Sequence, residues 1–174
     1  MRARDHNRNV RRQYDQAART YDRWIGHRQY SQLKLIETYL PTELPTPILD
    51  LGAGTGIVSK YLGLQMVSVD LSRNMLAESA GHRCQADWAC LPFRNESFAT
   101  VFSVSALDTA CDPLPKLEEM KRILKIGGYF YLTVLKTEDL ALVESHLKAL
   151  NFTNLERNDA LDAIFFRGAK GVEK

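Results

Sequence analysis

From Ile48 to Gly56 the chain reads Ile48-Leu49-Asp50-Leu51-Gly52-Ala53-Gly54-Thr55-Gly56, and few local sequences leave a chain less choice of fold. An apolar run ends in a carboxylate and then breaks into three alternating glycines. Apolar periodicity resumes at Ile57, Val58, Tyr61 and Leu62. The pattern predicts a buried strand, a tight turn and the start of a helix. Glycine permits positive φ and lets a ligand approach where a Cβ would clash. The spacing is G-x-G-x-G. The third glycine of a dinucleotide fingerprint would fall at position 57, which is Ile, so the turn is of nucleotide-binding type without being the nicotinamide type.

Asp50 sharpens this reading. A carboxylate just before the loop repels a pyrophosphate but suits a cation such as the amino group of an amino acid. About 20 residues on, Met66-Val67-Ser68-Val69-Asp70 is a short β-branched run that ends in an acid, placed to take both hydroxyls of a ribose. An amino-acid cation beside a ribose describes S-adenosylmethionine.

Four segments in order resemble the class I S-adenosylmethionine-dependent methyltransferases. They are Leu49 to Gly56, Val67 to Leu76, the run Ala86-Asp87-Trp88-Ala89-Cys90-Leu91-Pro92-Phe93, and Glu118 to Tyr129 with its Lys125-Ile126-Gly127-Gly128. Family members usually carry proline where Ile126 stands. A further element, Tyr14-Asp15-Gln16-Ala17-Ala18-Arg19-Thr20-Tyr21-Asp22-Arg23-Trp24, resembles the Y-D-x-x-A-x-x-Y-D-x-W segment of small-molecule methyltransferases, including the quinone-biosynthesis C-methyltransferase branch.

The resemblance implies site residues. Gly52, Ala53, Gly54, Thr55 and Gly56 would approach the methionine part and ribose of the cofactor. Asp50 would hold its ammonium, Asp70 its ribose hydroxyls, and Leu71 and Met75 would flank the adenine. Asp87, with Trp88 beside it, would accept from the adenine amino group. Ser103 lies where the fourth strand contacts methionine. Tyr14 and Tyr21 would lid the cofactor, since ring faces attract a sulfonium. Relatives often carry His-His-Leu after the fourth strand; here the residues are Asp108-Thr109-Ala110, so Asp108 could replace a histidine as base or cation anchor, and where the acceptor must lose a proton the candidate bases are Asp108, His27, Tyr14 and Tyr21. The product would be S-adenosylhomocysteine.

The fold expected is α/β and Rossmann-like: a mostly parallel seven-stranded sheet with an antiparallel edge strand, helices on both faces and N-terminal lid helices. Strands are predicted near 47–51, 66–69, 82–86, 98–105, 128–135, 152–157 and 162–168. Core helices are predicted near 55–62, 73–80, 114–124 and 137–150. Val10, Tyr14, Ala17, Tyr21 and Trp24 form one apolar stripe over 7–25, with Gly26 as the break and a second segment over 28–40. One domain is expected over 1–174, with basic lid helices at 1–40 and a cofactor-binding core at 47–168.

Net charge is only +2, yet residues 1–34 hold nine Arg or Lys against three Asp, a balance of +6. A basic arm on an acidic body suggests an anionic substrate or partner. A small or medium-sized anionic acceptor is therefore expected. One alternative is an RNA or protein acceptor docked on the basic helix, and another is a non-catalytic accessory subunit that binds the cofactor. Cys84, Cys90 and Cys111 form no C-x-x-C pair, no metal-ligand spacing occurs, and a reducing cytoplasm with a monomer or homodimer is expected. No apolar run approaches the roughly 20 residues of a membrane span. No Asn-Pro-Pro-Tyr-like sequence follows the fourth strand, which argues against methylation of adenine in DNA.

Overall fold

The computed structural model describes residues 3–159 and 162–172; Arg2 and the Arg4 side chain of the basic arm lie outside that range. Helices α1 (Ala3–Ala17) and α2 (Tyr21–Glu37) precede β1 (Ile48–Leu51), α3 (Ile57–Leu62), β2 (Val67–Asp70), α4 (Arg73–Ala77) and β3 (His82–Gln85). Then follow β4 (Phe98–Val104), α5 (Leu114–Ile123), β5 (Leu124–Leu135), α6 (Leu140–Ala149), β6 (Phe152–Asn158) and β7 (Ala163–Lys170).

The strands form one seven-stranded sheet in the order β3-β2-β1-β4-β5-β7-β6. Pairing from β3 through β5 is parallel, and β7 runs antiparallel to both β5 and β6. The expected antiparallel pairing therefore lies at one edge of the sheet, with the last strand, β7, inserted between β5 and the edge strand β6. Strand order reverses between β1 and β4, where the carboxyl ends of open parallel strands leave a crevice.

Alternation along the strands sends side chains to two faces. Leu49, Leu51, Val101, Phe130 and Leu132 pack with Leu117 and Met120 of α5 and Val143 and Leu147 of α6. On the other face Ile48, Phe102, Val104 and Tyr131 pack with Leu33 and Ile36 of α2 and Ile57 and Val58 of α3. Asp50, two residues after Ile48, belongs to this second face.

The N-terminal helices differ from the sequence expectation. The chain breaks at 18–20, and Gly26 lies buried inside α2. A helical glycine costs only about 1 kcal/mol relative to alanine, and a Cβ at Gly26 would touch the Tyr30 ring at 3.7 Å. The break turns the two aromatics toward each other, with Tyr14 and Tyr21 edge to face at 5.9 Å. Trp24, expected in the apolar stripe, is 79% exposed.

Candidate active site

The glycine loop is tied to β2 from both sides. Gly52 and Ala53 N–H groups donate to the Val69 carbonyl at 2.8 and 2.9 Å. Gly54 N–H donates to one Asp70 oxygen at 2.9 Å, and Ser72 N–H donates to the other at 2.8 Å. Asp70 thus orders the loop and the start of α4, where Ser72 caps Met75 N–H at 3.1 Å. Gly52, Gly54 and Gly56 all have positive φ. A Cβ at Gly56 would meet Ser79 at 2.8 Å, so this third glycine serves the packing of α3 against the α4 turn, and it does not line the pocket.

A cleft of about 800 Å³, measured to its open mouth, lies over this loop at the strand ends. Its floor comes from Gly52, Ala53, Gly54, Thr55, Asp70, Leu71 and Met75; Ala86, Asp87 and Trp88 form one wall and Val104 to Ala106 another. Helix α1 closes the top with Asn7, Val10 and Tyr14, and α2 adds Tyr21 and Gln29. Side-chain bonds hold α1 there. Asn7 donates to Asp87 Oδ2 at 2.6 Å, Ser72 Oγ donates to Asp15 at 2.5 Å, and Asn74 Nδ2 donates to the Asp15 carbonyl at 3.0 Å. Thr55 donates to Asp22 at the start of α2.

Most of the residues nominated from sequence converge on this cleft: Tyr14, Tyr21, Ala53, Thr55, Asp70, Leu71, Met75, Asp87, Trp88 and Asp108 besides Gly52 and Gly54. Two buried groups stand just behind it. Ser103 is 1% exposed with an unpartnered hydroxyl, and Asp50 is wholly buried with no partner on either oxygen. Burial, with Asp70 adding repulsion, pushes the Asp50 carboxyl up to about 8. Burial likewise raises Asp70, against the hydrogen bonds from Ser72 and Gly54.

The structure corrects the reading of bases. His27 is exposed on α2 and outside the cleft-lining residues. Asp108 is a paired anion rather than a poised base: Lys116 Nζ donates to it at 2.7 Å and His6 Nε2 lies 2.9 Å from its other oxygen. Burial pushes Asp108 up, but Lys116 and His6 outweigh it and hold it below the ordinary carboxylate range. Burial raises the phenols of Tyr14 and Tyr21, so neither is a phenolate near neutrality.

His6, Asn7, Gln29 and Lys116 were not singled out from the sequence. Each is a lone polar residue on a helix, with no spacing that marks it. The expected link between the basic arm and an anionic ligand also changes: Arg8, Arg11, Arg12, Arg19 and Arg23 are exposed, and among the described residues the cation that lines the cleft is Lys116.

The cleft fits S-adenosylmethionine. Asp50 is an orphaned buried carboxylate at the start of the glycine loop, Asp70 lines the cleft floor, and a Cβ on Gly54 would stand only 3.2 Å from Met75 Cε. Among the described residues no group of three or more His, Cys, Asp or Glu could hold a metal, and no helix is long and apolar enough to cross a membrane.

Residues 49–132 match the methyltransferase domain family. A malonyl-[acyl-carrier protein] O-methyltransferase of a Marinomonas species is 30% identical over 143 residues, covering 75% of this chain and 53% of that protein. A demethylmenaquinone methyltransferase of Clavibacter sepedonicus is 30% identical over 148 residues, covering 75% and 59%. The chain thus spans little more than half the length of either. A Thermotoga maritima crystal structure, described as a SAM-dependent methyltransferase and possible histamine N-methyltransferase, superposes with a TM-score of 0.76 at 18% identity, covering 90% of this chain and 97% of that one.

Proposed function

Because the chain belongs to the class I S-adenosylmethionine-dependent methyltransferases, we propose that it methylates an anionic oxygen, a carboxylate, on a small acceptor held beneath α1. The observation that carries this reading is Lys116, an ammonium lining a cleft in which Asp108 is already a paired anion and the Tyr14 and Tyr21 phenols are held protonated by burial. When bound, the cofactor supplies a methyl group on a sulfonium, which leaves as a neutral thioether when the acceptor's lone pair takes the methyl. A carboxylate already carries that lone pair, so no base is required, whereas an ammonium or a carbon acid must first lose a proton.

The chain's own groups then have defined tasks. Asp50 and Asp70 hold the ammonium and ribose of the cofactor, and the glycine loop lets backbone approach them. Asp108 commits one Lys116 N–H, and the ammonium keeps two others for the acceptor. Tyr14, Tyr21 and Val10 keep water from the reacting atoms and fix the approach. The O-methyltransferase named among the relatives supports an oxygen acceptor.

A panel of small carboxylates, amines and neutral alcohols, scored by S-adenosylhomocysteine release, tests the proposal. Turnover is expected with carboxylates and to change mildly with salt. Lys116→Met should raise KM for such an acceptor by about 10- to 100-fold, the loss of a charge-assisted hydrogen bond of about 1.5–3 kcal/mol, and leave cofactor affinity within about threefold. Turnover of amines alone, or a K116M enzyme with unchanged KM, would contradict it. Turnover of RNA that falls steeply with salt would move the acceptor to the macromolecular class.

A further inference from the structure

Helix α2 also reaches beneath the cleft wall. Gln32 is wholly buried, and its Oε1 accepts from Ser105 Oγ at 2.8 Å and from Thr133 Oγ1 at 2.7 Å. Its amide nitrogen donates to Asp162 at 3.5 Å. Ser105 follows β4 and lines the cleft with φ 55, a left-handed conformation that a residue with a Cβ adopts only when its surroundings impose it. Its N–H donates to both the carbonyl and the hydroxyl of Thr133, at 3.1 and 2.9 Å. The next residue, Ala106, presses on the glycine loop so closely that a Cβ on Gly52 would stand 2.2 Å from the Ala106 methyl. A continuous line of contact therefore runs from α2 through Ser105 and Ala106 to the loop.

We propose that Gln32 is a positioning residue: one buried amide on α2 holds Ser105 in its left-handed turn and thereby sets Ala106 against Gly52, shaping the cofactor loop from the acceptor side. Gln32 does not line the cleft, so it acts only through Ser105. This role is separate from that of Gln29 one turn earlier, whose Oε1 lies buried and unpartnered in the cleft wall. The proposal rests on the cleft being the cofactor site, and the experiment separates the two ideas.

The test is calorimetric titration of S-adenosylhomocysteine into wild type, Q32M and the double variant Q32M/S105G. Methionine matches the volume of glutamine but offers Ser105 no acceptor. Q32M is expected to weaken affinity by about tenfold. Glycine adopts positive φ unaided, so S105G placed in the Q32M background should recover affinity to within about threefold of wild type. A merely structural role for Gln32 predicts no such rescue, because a second substitution would only add damage. Should Q32M fail to fold, S105A removes the same hydroxyl contact and should weaken affinity by about tenfold on its own. Wild-type binding with unchanged affinity in Q32M, an unrescued double variant, or an unaffected S105A would each overturn the positioning role and leave the cofactor site standing. Absence of binding to folded wild type would overturn both.

Discussion

Gly52→Ala is expected to abolish cofactor binding and to lower the melting temperature by about 4–20 °C. Two costs combine. At φ +70 an alanine sits in the left-handed region, which costs an L-residue about 1–2 kcal/mol. Its Cβ would also stand 2.2 Å from the Ala106 methyl, and overpacking of this kind costs about 1–3 kcal/mol as the backbone moves. At about 2–4 °C per kcal/mol for a domain of this size, the two give the stated range. Relief requires the loop or the Ser105–Ala106 turn to shift, and both line the cleft, so affinity should fall by more than about 100-fold. Gly63→Ala is the matched control. Gly63 has φ +65 with nothing within 4 Å of a Cβ, so it should lose only the backbone term and bind the cofactor normally. Equal damage from both substitutions, measured by thermal melts and titration calorimetry, would contradict the close approach of Ala106.

Asp50→Asn should do two opposite things. The Asp50 carboxyl titrates at about 8 in the fold and near 3.8 in the unfolded chain. Between those values the folded state keeps a proton that the unfolded state has released. Stability therefore falls as pH rises, by about 1.4 kcal/mol per pH unit from this group, and levels off above pH 8. Asparagine has the same shape and no charged form, so the variant loses that slope. Without ligand, D50N should melt above wild type by a margin that grows from pH 5 to pH 8. With S-adenosylmethionine the gap narrows, because the carboxylate that the ammonium requires is gone; affinity should drop by about 10- to 100-fold, which removes about 1.4–2.7 kcal/mol of the ligand's stabilisation. Melts at pH 5, 6.5 and 8, with and without S-adenosylmethionine, check both halves. A D50N variant that is less stable than wild type at pH 8 without ligand would show that Asp50 has a partner in the fold. Both outcomes together would mark the buried acid as a stability cost retained for binding, as rule-breaking groups at functional sites commonly are.

The parts of the molecule legible in the sequence are those fixed by local chemistry. Asp50, the glycine loop and Asp70 are readable because a strand end, a positive-φ turn and a second strand end follow one another at the spacing of one β-α-β unit. What tertiary docking decides was not readable. The break between α1 and α2 has no Gly or Pro to mark it, and the apolar stripe runs through it unbroken, so Gly26 drew the boundary instead. Trp24 followed the stripe in sequence and faces solvent in the fold. His27 lies outside the residues that line the cleft, whereas His6, twenty-one residues earlier, reaches Asp108 because α1 lies across the strand ends. Gln29, Gln32 and Lys116 carry no local signal, since a single polar residue on a helix reads as solvated until its face is known to be covered. The insertion of β7 beside β5 is likewise a matter of strand order, which local periodicity does not encode.

Calorimetric titration of wild type and Asp70→Asn with S-adenosylmethionine and S-adenosylhomocysteine tests the central claim most directly. Asp70 binds the loop through Gly54 and Ser72 and stands where the ribose hydroxyls would be taken. Micromolar binding of both ligands to wild type, weakened by about 100-fold or more in D70N while the fold persists by circular dichroism, is the predicted result. Folded wild type that binds neither ligand, or D70N that binds both as wild type does, would contradict the assignment of this cleft as the cofactor site.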